Sequence, residues 1–269
     1  MKNLLKKIYP LFVDLKRINY LKTIYLNFRT QPLSIAIRFP IVIYGKLVIP
    51  KLRGKILIKG PIKRGMIKIG YKYMDLVPAS YLPSQIYLLN GTIIFNGNLV
   101  TSGGVSLFSS NSTIDIGEFV VIGGGSVVKS LESITIGDNT RIAYESVIFD
   151  SNVHFVKNIV TGKIAKNKAP IVIGRNCWIN SRSFIGKGTI VPNYSVVAGS
   201  SFLNREYSEY GENLFLVGSP AKPANVKVQR IFSVTEETKL NNYFNNNPNI
   251  EHYKGNEGLF ADENEFFFK

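Results

Sequence analysis

The chain has 269 residues, 45% of them hydrophobic and 12% aromatic, with a formal net charge of +15 and a single cysteine. That apolar content suits a folded chain with a sizeable core and excludes intrinsic disorder. One Cys excludes an intrachain disulfide framework, so a reducing compartment, the cytosol by default, is expected.

The first segment carries nearly all the charge. Residues 1–72 hold 17 Lys or Arg against one acidic residue, Asp14, for a net of +16, and residues 73–269 sum to −1. Such a block suits an anionic partner: a membrane surface, a phosphorylated or acidic glycan, or nucleic acid. Residues 1–50 read as a basic amphipathic segment. Leu4, Ile8, Leu11, Leu15 and Ile18 follow one another at spacings of one helical face, bent or restarted at Pro10. That face packs on the protein's own core or lies on an anionic membrane, and the interleaved Tyr20, Tyr25 and Phe28 suit an interface. Asp14, Lys16 and Arg17 interrupt the run a secretory leader needs, and Arg38 and Pro40 break the most apolar window, so no spanning segment is expected.

The next segment is periodic. Weak echoes at Ile56 and Ile62 and at Leu88, Ile94 and Val100 precede a regular series in which aliphatics recur every six residues. These are Ile116, Ile122, Val128 and Ile134, then, after a two-residue shift, Ile136, Ile142 and Ile148; the series resumes at Ile173, Ile179, Ile185, Val191 and Val197. Four residues after most of them stands a small or β-branched side chain, among them Ser126, Thr140, Ser146, Cys177, Ser183, Thr189, Ser195 and Ser201. One residue after, Gly or Ala is frequent, which suits a sharp corner. A period of six fits neither a helix nor a simple strand. It fits a short flat strand followed by a corner, three units making a triangular coil of about 18 residues that stacks on the coil before it. Stacking is obligatory, because one coil cannot bury its own aliphatics, each worth roughly 1.5–3 kcal/mol. The coil domain is placed at 51–228, with a loop at 155–172.

His154 breaks this pattern. Counting 18 from Ile136 lands on it, so an imidazole stands where an aliphatic is expected, and the repeat fails from Phe155 to Val172. A polar ring at the edge of an excursion is a functional candidate, and imidazole can accept a proton near neutral pH. Asp150 either accepts a hydrogen bond from the other ring nitrogen or is a solvated turn residue. The excursion carries Lys157, Lys163, Lys166 and Lys168 with no acidic residue, so it shapes an acceptor site, meets phosphates or merely solubilises. Cys177 occupies an inward slot and reads as buried filler. A metal enzyme needing three His ligands fails on the count of two His, and no metal is expected. Residues 229–269 read as a capping tail, with Ser233 and Glu236 starting a helix and the Asn-rich stretch to Pro248 ending it; His252, in the same tail, reads as surface.

The stretches IGDNTRIA (136–143), IGRNCWIN (173–180), IGKGTIVPNYSVVAGSS (185–201) and GSPAKP (218–223) resemble the hexapeptide-repeat acyltransferases, nearest to the O-acetyltransferases of capsular polysaccharide and lipopolysaccharide. The resemblance covers about residues 90–228. It implies a left-handed parallel β-helix, a homotrimer, and acetyl-CoA bound in grooves between neighbouring β-helices of that trimer. DSNVH (150–154) matches the family motif ending in the catalytic His, which makes His154 the general base and Asp150 its companion. Ser181 matches a pantetheine-contacting position, Gly199 a small residue whose backbone faces CoA, Arg205 a basic residue near the phosphates and Lys222 the residue at the nucleotide end; Arg182, Lys187 and Lys227 are weaker candidates. Asn180 departs from the Gly or Ala usual there. The implied reaction is acetyl transfer to a sugar hydroxyl of a surface polysaccharide or its precursor, in the cytoplasm or at the inner face of the membrane. A sugar N-acetyltransferase of the same fold and a noncatalytic basic binding protein are the alternatives, and nucleic acid is not the expected partner.

Overall fold

A computed structural model describes residues 16–72 and 82–255. Leu4, Ile8, Leu11 and Leu15 of the N-terminal stripe lie outside the described residues. After helix α1 (Tyr20–Thr30) and the single turn α2 (Leu33–Ala36), the chain winds into stacked rungs that begin at Ile41, ahead of the expected start at 51.

The first two rungs are β1 (Ile41–Ile43) with β2 (Leu47–Ile58), and β3 (Ile67–Ile69) with β4 (Ser84–Phe95). Three-stranded rungs follow: β5 (Leu99–Thr101), β6 (Ser106–Ser110), β7 (Thr113–Ile116); β8 (Val120–Ile122), β9 (Val127–Ser130), β10 (Ser133–Ile136); β11 (Arg141–Ile142), β12 (Val147–Phe149), β13 (Ile171–Ile173); and β14 (Trp178–Ile179), β15 (Phe184–Gly186), β16 (Ile190–Val191). The seventh has β17 (Val196–Val197) and β18 (Phe202–Leu203), and the coil closes with β19 (Leu214–Gly218) and the antiparallel β20 (Ala221–Lys227).

Pairing between rungs is parallel and resolves three faces. The first face runs β1-β3-β5-β8-β11-β14-β17-β19. The long strands β2 and β4 bend over a corner, so the first half of β4 pairs β6 and its second half pairs β7. The second face therefore continues β6-β9-β12-β15-β18, and the third β7-β10-β13-β16. The prism and its ladder of aliphatics are as the period of six implies: Ile116, Ile136, Ile173 and Val191 stand in register on the third face, and Val128, Ile148, Ile185 and Leu203 on the second, all buried. Ser126, Thr140, Ser146, Cys177, Ser183, Thr189, Ser195 and Ser201 are buried as well. Their polar atoms are satisfied at the corners, as where Thr140 Oγ1 donates to Gly174 O at 2.8 Å and Ser146 Oγ to Asn180 O at 3.1 Å.

Three details differ from the sequence reading. The echo at Ile94 faces outward, and Ile93 and Phe95 fill the core instead. The glycine after each aliphatic is not where the corner needs left-handed backbone; that falls two residues later, at Phe119, Asn139, Asn176 and Arg182. The glycines are needed because the next rung presses on them: a Cβ on Gly137 would lie 2.5 Å from Arg175 N and 2.6 Å from Gly174 C. Finally, the two-residue shift between Ile134 and Ile136 is a strand with two inward residues, both buried, which follows the corner at Leu131 and Glu132.

The tail turns back along the first face. Arg230 stacks over Trp178 and Phe232, and Arg141 stacks over the same Phe232, which is nearly buried. Ser233 caps α3 (Val234–Asn246) by accepting from Glu236 N at 3.2 Å, whereas the Glu236 carboxylate pairs with Lys239 at 2.6 Å rather than reaching back to complete a capping box. His252 is exposed. Among the described residues no helix is long and apolar enough to cross a membrane.

Candidate functional site

The excursion leaves the corner between the second and third faces, after β12, and returns at β13. The inward position that His154 was expected to take is filled by Ile173, which stands opposite Ile136. The whole of 151–170 is inserted in the corner, and the His154 side chain is exposed on it rather than set in the wall. The excursion is a hairpin. Ser151 bridges Lys168 and Lys157 bridges Ile164 in antiparallel sense, and Asn158 Oδ1 accepts from Val160 N and Thr161 N, both at 2.9 Å, to turn the tip.

Two devices fix the start of this hairpin. His154 N donates to Asn152 O at 2.6 Å across Val153, whose φ is +64°. A three-residue turn on a β-branched residue with positive φ is strained and persists only where its surroundings hold it. Here Val153 N donates to Ser151 Oγ at 2.9 Å, and Asn167 Nδ2 donates to Val153 O at 2.8 Å. Below it, the buried Asp150 carboxylate accepts from Ser130 Oγ (2.8 Å), Leu131 N (2.7 Å) and Glu132 N (2.9 Å). The corner beside the two-residue shift is thus the seat of the excursion's root. Asp150 binds the rung beneath it, and the hydrogen bonds of its carboxylate run to that corner and not to the imidazole.

Lysines tie down the return strand. Lys168 Nζ lies 2.8 Å from the Glu132 carboxylate, which it holds below the ordinary glutamate range by hydrogen bond and charge, and it also donates to Leu131 O at 3.2 Å. Lys187 Nζ donates to Lys166 O at 2.8 Å from the rung above. Of the four excursion lysines, Lys168 therefore serves as a staple. The hairpin keeps Val153, Phe155, Val156, Ile159, Val160 and Ile164 exposed, with Ile159 at 92% and Val160 at 90%.

The remaining candidates fall on two edges of the prism. Ser181 and Gly199 stack at the corner between the first and second faces, where Ser200 N donates to Ser181 O at 3.0 Å and a Cβ on Gly199 would come 3.4 Å from that same oxygen. Lys222 faces Val217 in the β19–β20 pair, at the same end of that edge, and is exposed. Arg205 is also exposed, but it follows β18 on the other edge, above Ile190, whose N donates to Arg205 O at 3.3 Å. His154 and Arg205 thus share one edge, while Ser181, Gly199 and Lys222 share the other. One face separates them, six residues from Ser181 to Lys187, or about 20 Å at strand rise.

The weaker cationic candidates have structural partners. Arg182 pairs with Glu145 at 2.7 Å, and that hydrogen bond raises the guanidinium's pKa. Lys227 donates to Tyr210 O and Glu212 O at 2.9 and 2.8 Å. Cys177 is buried, and burial pushes its thiol up to about 12, so it is no nucleophile. Sequence reasoning missed the Ser130–Leu131–Glu132 seat for Asp150, although the two-residue shift signalled it. Among the described residues no group of three His, Cys, Asp or Glu could hold a metal ion.

No family model matches the chain. It is 30% identical over 154 residues to WbbJ of Escherichia coli (strain K12), which carries the name of a lipopolysaccharide biosynthesis O-acetyl transferase; the match spans 51% of this chain and 73% of that protein. Among solved structures, the polySia specific acetyltransferase NeuO aligns at 17% identity over 81% of this chain and 91% of its own, with a TM-score of 0.46. VCA0836 of Vibrio cholerae O1 biovar eltor, a hexapeptide-repeat acetyltransferase crystallised with acetyl coenzyme A, aligns at 22% identity over 49% and 66%, with a TM-score of 0.37.

Proposed function

This chain belongs to the hexapeptide-repeat acyltransferases, enzymes built on a left-handed parallel β-helix, and from that premise we propose that it acetylates a sugar hydroxyl of a surface polysaccharide or its precursor, with His154 as the general base. Acetyl-CoA supplies the acetyl group. The observation that carries this reading is His154 itself: an exposed imidazole at the root of a hairpin, on backbone held in a strained turn and seated on the rung below through Asp150. His154 takes the proton of the attacking hydroxyl, a role worth roughly 10²–10⁴ in rate. Asp150 positions it indirectly, by anchoring the hairpin.

The donor edge fits a long, phosphorylated ligand. Gly199 leaves the corner above Ser181 without a side chain, so backbone is open to close approach, and Lys222 places an exposed cation at one end of the edge. Arg205 stands across the second face. Because His154 and the Ser181–Gly199 corner lie on different edges, a copy whose His154 edge meets its neighbour's Ser181 edge would complete the site, which supports a homotrimer with three shared grooves. The exposed apolar side chains of the 153–164 hairpin would then be covered by the neighbour. The reaction belongs in the cytoplasm, where acetyl-CoA is held.

The test is a transfer assay with acetyl-CoA and a panel of bacterial surface glycans. His154→Asn is expected to lower kcat by 10²–10⁴ while leaving acetyl-CoA affinity and the thermal transition in place. Unchanged turnover in that variant would remove the imidazole from the mechanism.

A further inference from the structure

Helix α1 is amphipathic in the reverse sense. The side it turns to the coil is largely polar: Thr23 and Asn27 are buried beside Leu26, the helix's single contribution to the hydrophobic core, and Gln31 follows them one turn on. Each satisfies the open edge of the first rung. Asn27 Nδ2 donates to Ile41 O at 2.7 Å and its Oδ1 accepts from Ile41 N at 3.2 Å; Thr23 Oγ1 accepts from Ile43 N at 3.0 Å; Gln31 Nε2 donates to Ile56 O at 2.9 Å. An uncovered strand edge invites pairing with another chain, and this helix blocks it with side chains in place of a further strand. Apart from Leu26, its apolar residues are therefore left on the outside. Leu21, Ile24, Tyr25 and Phe28 recur at three and four on the opposite side, all exposed, with Leu21 at 82%; Leu33 at 68% and Ile37 at 58% extend the patch beyond the helix.

The surroundings of this patch are cationic. Lys16, Arg17, Arg29 and Arg38 stand beside it exposed, and on the first rung Lys46, Lys51, Arg53, Lys55 and Lys59 are exposed too. Residues 16–72 hold 14 Lys or Arg and no Asp or Glu. A second copy of the chain docked on this end would bring like charge against like. Aliphatic and aromatic side chains ringed by Lys and Arg instead match a bilayer interface bearing anionic headgroups.

We infer that the helical end of the prism docks on an anionic lipid surface, with Leu21, Ile24, Phe28, Leu33 and Ile37 entering the interface and Arg29, Arg38 and the first-rung lysines meeting the headgroups. The coil then stands upright on the bilayer. His154 belongs to the fifth rung, four rung spacings from the first, which holds it about 20 Å above that rung, with helix α1 between the rung and the surface. The inference is independent of the acetyl-transfer reading.

The test is co-sedimentation of the full-length chain with vesicles of phosphatidylcholine, with and without phosphatidylglycerol. Binding is expected only with the anionic lipid, and it should weaken as salt is raised. Combining Leu21→Glu, Ile24→Glu and Phe28→Glu should lower partitioning about 100-fold or more, and Arg29→Gln about fivefold, with far-UV circular dichroism and the thermal transition unchanged. Equal binding to neutral vesicles, or no binding to anionic ones at low salt, overturns the inference. So does a triple variant that binds as the parent does while Leu4→Glu with Leu11→Glu abolishes binding, which would place lipid contact in residues 1–15. A triple variant that changes the sedimenting mass while keeping its lipid affinity would make the face a contact between copies, and would also overturn it.

Discussion

Replacing Asp150 by Asn tests whether this carboxylate acts on the rung beneath it or on the imidazole. In the wild-type chain Oδ1 accepts from Leu131 N, and Oδ2 accepts from Ser130 Oγ and Glu132 N, all between 2.7 and 2.9 Å. An amide of the same shape has one acceptor oxygen. If that oxygen takes the place of Oδ2, the Ser130 and Glu132 bonds survive in weakened, neutral form and the NH₂ group faces Leu131 N–H, donor against donor. Hydrogen bonds to a charged group contribute about 1.5–3 kcal/mol each, so losing one and weakening two should cost about 3 kcal/mol. For a domain of this size that corresponds to a fall of about 6–12 °C in Tm. Thermal unfolding followed by far-UV circular dichroism reads this directly, and Ser130→Ala should produce about a third of the effect. Below the transition, kcat of Asp150→Asn should stay within about tenfold of the parent, because the hairpin is also held by Ser151, Asn167 and Lys168. A variant with unchanged Tm and a kcat reduced about a thousandfold would refute the anchoring role and return Asp150 to direct contact with His154.

Other substitutions probe the same architecture. Gly137→Ala should destabilise by about 2–4 kcal/mol, since the added Cβ meets the backbone of Gly174 and Arg175, whereas Gly199→Ala, with its nearest neighbour at 3.4 Å, should fold normally and raise the KM for acetyl-CoA; denaturant melts and steady-state kinetics separate the two. Cys177, with its thiol raised to about 12 by burial, should react with a thiol reagent at pH 8 on the order of a thousandfold more slowly in the folded chain than in denaturant. The sign of its linkage follows from that raised value. The unfolded thiol ionises first, near about 8.5, so the contribution to stability is complete below that pH and is lost progressively as pH rises to about 12, a slope that Cys177→Ala should lack in urea titrations across this range. Val153→Gly should relieve the strained turn and leave Tm level or higher while lowering kcat severalfold, as the imidazole loses its fixed direction; a kcat equal to the parent's would show that the turn does not aim His154.

Much of this was legible in the order of residues alone. A period of six among aliphatics, with a small side chain four positions on, has one economical solution, because only stacking of three-sided rungs buries Ile136, Ile173 and Val191 against each other. The position of the excursion was legible for the same reason, as the place where that period fails. Three-dimensional structure alone decided the rest. Counting put His154 in the wall, but an insertion at a corner resets the count, and strand pairing hands the inward place to Ile173. Asp150 gained its partners from a corner about 20 residues earlier in the chain, a contact made only once the rungs stack. The helix before the coil shows the limit most plainly. Hydrophobic pattern marks which side of a helix is apolar but not which side faces in, and here the unpaired edge of the first rung drew the polar side inward, with Leu26 the one apolar residue of the helix to enter the core beside it. Thr23, Asn27 and Gln31 were drawn inward and Leu21, Ile24 and Phe28 were left facing out.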